Sequence, residues 1–153
     1  FMTKDELWKS KPLGRLLLAL GAFPVSREAA DREALRRAQG VLEQGQLLVL
    51  FPEGTRGVGP TVGPLHEGAA FLSARTGAPV VPIGIGGSDV SMPKGRRIPK
   101  PVRIRVVVGE PVAPPARTEG GRVPRSSIHA TTEALRRAIQ SAYDDARRDF
   151  EQG

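Results

Sequence analysis

The chain is 153 residues long, carries a formal net charge of +7, and is 39% hydrophobic but only 5% aromatic. That length suits one domain with a core of its own, built mainly from Val, Leu, Ile and Ala. The absence of cysteine excludes disulfides, thiolate metal sites and a cysteine nucleophile, and two histidines, His66 and His129, are too few for a multi-histidine metal cluster.

Thr3 and Glu6 have capping-box spacing, which predicts a helix from about Lys4. Pro12 interrupts it or opens a second helix, and Leu13, Leu16, Leu17 and Leu20 follow at helical spacing until Gly21. Residues 22–26 read as a short strand, weakened by Pro24. Asp31 can cap the next helix, whose apolar stripe is Ala34, Leu35, Ala38, Val41 and Leu42 and which Gly45 closes. Residues 46–51 then form a run, Leu47 to Phe51, apolar on both faces, which predicts a strand inside a covered sheet. Residues 53–63 are a Gly-rich loop, 67–76 a short helix with Gly77 as its cap, and 79–85 a second buried strand. Residues 86–101 read as a long basic loop holding Lys94, Arg96, Arg97 and Lys100, and 102–108 as a strand with Arg103 and Arg105 on one face. A Pro- and Gly-rich connector over 111–124 leads to a last helix opened by Ser126 or Ser127, with a stripe of Ile128, Leu135, Ile139, Ala142, Ala146 and Phe150. This alternation predicts a single α/β domain with a largely parallel sheet flanked by helices.

The positive charge, supplied mostly by Arg, calls for nucleic acid, an anionic membrane or anionic substrates. Basic readers of single-stranded nucleic acid interleave cations with stacking aromatics. Here Trp8 and Tyr143 are the only Trp and Tyr and lie far apart, so phosphate substrates or a membrane are favoured and nucleic acid is not expected. No segment reaches the roughly 20 apolar residues of a membrane span; residues 13–23 are too short and contain Arg15.

Chemistry is expected where strands end, because open α/β sheets bind ligands outside their carboxyl edges. Pro52 stops the strand at Phe51, and Glu53, Gly54, Thr55 and Arg56 follow at once. Arg56 can grip a phosphate bidentately. Glu53 can accept from a substrate hydroxyl or lock the loop by binding backbone amides, and Gly54 lets the backbone approach a ligand. A plain surface turn with a Glu–Arg ion pair is the alternative. Arg27 stands just past the strand at 22–26, so parallel strands would aim Arg27 and Arg56 at one rim. Pro79 and Pro82 in one strand-like run point either to an edge or bulge that shapes a groove or to a core strand with an irregular start.

These segments, in this order, resemble the second, third and fourth motifs of the glycerophospholipid acyltransferase family. Phe51-Pro52-Glu53-Gly54-Thr55-Arg56 reproduces the most specific motif in full. Gly21 to Arg27 is similar to the glycine–apolar–arginine motif, departing at Pro24 and Ser26, and Val80-Val81-Pro82-Ile83 is similar to the apolar–proline motif. Lys4-Asp5-Glu6-Leu7, Gly68-Ala69-Ala70 and Val108-Gly109-Glu110-Pro111 agree as flanks, so the resemblance runs from about residue 2 to residue 111. It implies a glycerol-3-phosphate acyltransferase-like fold of the lysophosphatidic-acid acyltransferase type. It also implies acyl transfer from acyl-CoA or acyl-carrier protein to the free hydroxyl of 1-acylglycerol 3-phosphate, giving phosphatidic acid. Arg27 and Arg56 are then assigned to the acceptor phosphate, Glu53, Gly54 and Thr55 to the acceptor site and its loop, and Pro82 to the site wall.

The family's first motif, a His followed five positions later by an Asp, is the general base and its orienting carboxylate. Phe71 stands five positions after His66 and Ala134 five after His129, so neither histidine is nominated and no catalytic residue is assigned within the chain. In the family the pair precedes the Lys4-like segment, and here that region would lie upstream of Phe1. Residues 1–153 are therefore expected to be an acyltransferase domain lacking its N-terminal part, inactive as it stands. The expected partners are lysophosphatidic acid, an acyl thioester, an acyl carrier protein as one donor form, and an anionic membrane surface at its cytoplasmic face; no cofactor is expected beyond the donor substrate. Another lysophospholipid or glycolipid acceptor, or a non-catalytic phospholipid-binding module of the same fold, are the alternatives.

Overall fold

A computed structural model describes residues 2–4, 15, 23–25, 31–55, 57, 59–93, 95 and 98–152. The elements are β1 (Met2–Lys4), β2 (Phe23–Val25), α1 (Asp31–Glu43), α2 (Gly68–Thr76), β3 (Ile83–Gly86), α3 (Ser88–Ser91), β4 (Arg105–Val108) and α4 (Arg125–Glu151). They mix helices and strands as an α/β domain does. The described strands make one parallel pair, β1 with β2, and one antiparallel pair, β3 with β4. A largely parallel sheet is therefore not what they form.

Met2–Lys4 is a strand where capping-box spacing predicts the start of a helix. Its residues pair with 23–25 in register, Met2 with Phe23, Thr3 with Pro24 and Lys4 with Val25. The rest of the helix predicted from about Lys4 falls on residues outside the described ones. Arg15 is helical and exposed. Phe1, the leucine stripe at 13–20 and Arg27 lie outside the described residues.

α1 buries Ala34 and Ala38, as its stripe predicts. It closes through Gly45, whose N–H reaches the Leu42 carbonyl at 2.9 Å while Gln46 N–H reaches Val41 at 3.2 Å, the paired bonds of a Schellman motif. The run at 46–51 then departs from expectation. It forms no strand, and Leu47 is 96% and Phe51 68% exposed. Exposure alternates along it, with Leu48 and Leu50 half-buried between Leu47, Val49 and Phe51, the period of extended chain. Apolar composition alone does not make a strand: a ladder needs a partner, and no described strand pairs with this run.

α2 buries Ala69, Ala70, Leu72 and Ala74 and ends at Gly77, whose N–H donates to the Ser73 carbonyl at 2.8 Å. In the β3–β4 pair Ile83 faces Val108 and Ile85 faces Val106, while Gly84 and Gly86 face Val107 and Arg105. Val80 and Val112 continue the pairing as an isolated bridge. The strand predicted over 79–85 is thus shorter, and it is buried on one face only. The buried face is the glycine face. A Cβ on Gly84 would lie 2.1 Å from the Ala142 carbonyl oxygen, and one on Gly86 2.2 Å from that of Ala146. The backbone of α4 lies directly on β3, with Leu135, Ala142 and Ala146 of its predicted stripe buried. Ile83, Ile85, Val106 and Val108 face outward and are exposed.

The basic segment 86–101 contains α3 and is pinned by Lys100 N–H to the Ser91 carbonyl at 2.7 Å and by Ser91 Oγ to the Lys100 carbonyl at 2.9 Å. Lys94, Arg96 and Arg97 lie outside the described residues. Arg147 ties α3 to α4, with Nη1 3.1 Å from the Tyr143 hydroxyl and 3.5 Å from Asp89 and with Nε 2.9 Å from Glu151. The Tyr143 hydroxyl first, then Glu151, hold this guanidinium above its already high ordinary pKa. Among the described residues, no helix is long and apolar enough to cross a membrane.

Candidate functional site

The segment 52–66 is a loop closed at its neck and held from inside. His66 N–H donates to the Pro52 carbonyl at 2.8 Å and closes it. At its start Gly54 N–H donates to the Phe51 carbonyl at 3.0 Å, and Gly54 takes φ +65°, a conformation that side chains disfavour. The His66 ring covers that position: its Nε2 would lie 2.9 Å from a Cβ on residue 54. Gly54, Thr55 and the His66 ring thus share one exposed turn.

Glu53 points into the loop. Its Oε2 accepts from Gly63 N–H at 3.0 Å and would lie 3.3 Å from a Cβ on Gly57. Of the two roles open to Glu53 from sequence, the structure displays loop locking. A carboxylate engaged with one backbone amide shapes the turn, and its remaining lone pairs can still accept from a substrate hydroxyl. Residues 60–62 are held from α4 by Gln140, whose Oε1 accepts from Val62 N–H at 2.7 Å and whose Nε2 donates to the Pro60 carbonyl at 3.0 Å.

Glu53, Gly54 and Thr55 are therefore brought together. Arg56, like Arg27, lies outside the described residues. So does Phe1. Pro82 is placed at the base of the β3–β4 pair, fully buried, with its carbonyl accepting from Gly109 N–H at 2.9 Å. His129 stands 3.6 Å from the carboxylate of Glu67, the residue that opens α2. Sequence spacing offers no sign of this pair, because the two residues come from different elements; both side chains are substantially exposed. Gln140 is likewise invisible to sequence reasoning, since a glutamine on the polar face of a helix carries no signal of a partner in a distant loop.

An open cleft of about 430 Å³ lies beside α2, lined by Gln39, Phe71, Ala74, Arg75, Arg117 and others. Among the described residues that line it there is none of the predicted site residues. Among the described residues no three His, Asp or Glu side chains converge as a metal site. What the loop offers chemically is a fixed, solvent-facing turn with a hydroxyl and an imidazole on it, positioned by an inward carboxylate.

Residues 1–86 match the profile of a family described as Acyltransferase. The chain is similar to the 1-acyl-sn-glycerol-3-phosphate acyltransferase of Bacillus subtilis (strain 168), 29% identical over 141 residues, which is 92% of this chain and 66% of that protein. It is 30% identical over 115 residues to the chloroplastic 1-acyl-sn-glycerol-3-phosphate acyltransferase BAT2 of Brassica napus, covering 73% of this chain and 33% of that one. The crystal structure of the 1-acyl-sn-glycerophosphate acyltransferase PlsC from Thermotoga maritima superposes with a TM-score of 0.68 at 28% identity, over 92% of this chain and 55% of that one. The chain thus spans between a third and two thirds of the length of these relatives.

Proposed function

The chain belongs to the acyltransferase family, and from that membership we propose that the whole protein acylates 1-acylglycerol 3-phosphate to phosphatidic acid, a step of phospholipid biosynthesis. The acceptor hydroxyl oxygen attacks the carbonyl carbon of an acyl thioester, of coenzyme A or of an acyl carrier protein. A C–O bond forms, the C–S bond breaks, and the hydroxyl proton ends on the leaving thiol by way of a general base of the His–Asp type. This chain's own part is to bind and orient the acceptor. Arg27 and Arg56 take its phosphate as bidentate donors, while Gly54 and Thr55 form the turn against which it rests. Glu53 keeps that turn in shape, and Pro82 fixes the wall at the base of β3.

The observation that carries this reading is the tied turn of the Phe51–Arg56 motif, with Glu53 directed inward onto Gly63 and Gly54 left-handed. The relatives named as 1-acylglycerol-3-phosphate acyltransferases support the choice of acceptor. In the whole protein we place residues 46–51 as a further strand of a more parallel sheet, with the motif turn at its carboxyl end. We place the site at the cytoplasmic face of a membrane, where acceptor and product reside.

The test is acyl transfer by the full-length protein. Glu53→Ala and Arg56→Ala should each lower turnover of 1-acylglycerol 3-phosphate by roughly 10- to 100-fold, the scale of a lost hydrogen bond to a charged group. Wild-type rates in both variants would overturn the assignment. A panel of lyso-lipids with and without a terminal phosphate decides the acceptor: equal rates on both would remove the phosphate-binding role of Arg27 and Arg56.

A further inference from the structure

The last helix reaches across the fold to grip the motif loop, and it does so through one side chain whose three hydrogen bonds define its orientation. Gln140 Oε1 accepts from Val62 N–H at 2.7 Å, and its Nε2 donates both to the Pro60 carbonyl at 3.0 Å and to Asp144 Oδ1 at 2.8 Å. A primary amide has two donors and one carbonyl, and here all are engaged. Asp144, one helical turn on, fixes which way round the amide sits. Reversed, it would point N–H at the Val62 N–H and a carbonyl at both Pro60 and Asp144.

The adjacent peptide unit is held by a different partner. Gly63 N–H donates to Glu53 Oε2 at 3.0 Å, so two successive amides are clamped, one by α4 and one by the glutamate of the motif. Val62 between them is buried, at 8% exposure. The post that carries Gln140 is itself rigid, because α4 is seated backbone-to-backbone on Gly84 and Gly86 through Ala142 and Ala146. Movement of residues 60–62 away from α4 would draw Gly63 away from Glu53 and release the turn at Gly54 and Thr55.

We infer that Gln140, oriented by Asp144, is a positioning residue of the acceptor site, holding residues 60–63 so that Glu53 keeps the motif turn in shape. The inference rests on the proposed reading of that turn as the acceptor site. It predicts more than stability. A purely structural role would lower the melting temperature and leave the kinetic constants of the folded protein unchanged.

Two measurements on the full-length protein test it: amide hydrogen exchange at Val62 and Gly63, and steady-state kinetics with 1-acylglycerol 3-phosphate and the acyl thioester varied separately. In Gln140→Ala both amides should exchange faster. KM for the acceptor should rise about tenfold, the scale of one to two lost hydrogen bonds, with a smaller change in KM for the thioester. Gln140→Glu keeps an acceptor for Val62 but sets a carboxylate beside Asp144, and should behave like Gln140→Ala. Adding Asp144→Asn, which turns a donor toward the new carboxylate, should restore only the Asp144 side of the loss, because the carboxylate still faces the Pro60 carbonyl without a donor. Unchanged exchange at Gly63 in folded Gln140→Ala overturns the clamp. Faster exchange with an unchanged acceptor KM overturns the positioning role. A wild-type protein that transfers no acyl group would overturn the reading of the site itself, and with it the positioning role, while exchange at Val62 and Gly63 would still decide whether the clamp exists.

Discussion

Within the motif each residue does a different job, and Gly54 shows how two constraints meet at one atom. Its φ of +65° disfavours any side chain, by about 1–2 kcal/mol. A Cβ there would also lie 2.9 Å from His66 Nε2 and 3.0 Å from Cδ2. The two constraints differ in stiffness. The backbone angle is set by the turn that Phe51 closes, whereas the imidazole is the far end of an exposed side chain and can swing aside. Gly54→Ala should therefore lower stability in urea unfolding by about 1–2 kcal/mol, and it should move the His66 ring, visible as a shift of its proton resonances. In a His66→Ala background the same substitution should cost slightly less, since only the angle remains. An unchanged His66 resonance in Gly54→Ala would show that the ring does not cover the turn. Sequence alone leaves Glu53 with two roles, because a carboxylate after a strand can face substrate or backbone equally well. The choice depends on where Gly63 returns, ten residues later, and that is a property of the closed loop.

At the scale of elements, the same substitution should have opposite signs at two glycines. Gly84 lies on the face of β3 that touches α4, where a Cβ would meet the Ala142 carbonyl oxygen at 2.1 Å. The clashing atoms are backbone on both sides, so the helix must shift off the strand along its length. Gly84→Ala should destabilise by about 3 kcal/mol, at the upper end of overpacking effects. Gly40 stands inside α1 with nothing within 4 Å of its Cβ position, so Gly40→Ala should stabilise by about 0.5–1 kcal/mol through helix propensity. Denaturant midpoints of the two variants check both signs, and a neutral Gly84→Ala would show that α4 is not seated on the glycine face. The helices are legible from their periodicity: Ala34 and Ala38 in α1, and Leu135, Ala142 and Ala146 in α4, are buried where the stripes place them. The strands are less so. In Ile83-Gly84-Ile85-Gly86 the apolar residues look like the buried ones, yet Ile83 and Ile85 are exposed while the glycines are covered. Close approach of a helix backbone selects for the smallest residue, and a pattern read by hydrophobicity takes that face for the outer one.

At the scale of the whole molecule, alternation of helices and strands predicts the α/β class, but strand direction depends on pairings between distant segments that no local pattern records. The described strands pair as β1 with β2 and β3 with β4, and residues 46–51 join neither pair. Charge, by contrast, is legible from composition and bears on the membrane location we propose. A net charge of +7 draws a protein toward an anionic bilayer, each Lys or Arg near the surface contributing about 1 kcal/mol. Several cations fall in the segment 86–101, between β3 and β4, among them Lys94, Arg96, Arg97 and Lys100. If charge drives the association, it must weaken with salt, because the screening length falls from about 10 Å at 0.1 M to about 3 Å at 1 M. Vesicles containing anionic phospholipid should therefore sediment the full-length protein at low salt and release most of it near 1 M, while vesicles of neutral phospholipid should retain much less at either concentration. Replacing Lys94, Arg96 and Arg97 together by Ala should reduce binding to the anionic vesicles, and the thermal midpoint of the variant, measured alongside, separates lost charge from lost fold. Equal, salt-insensitive binding to neutral vesicles would assign the attachment to apolar contact instead of charge, and no sedimentation with either vesicle would overturn the proposed membrane location.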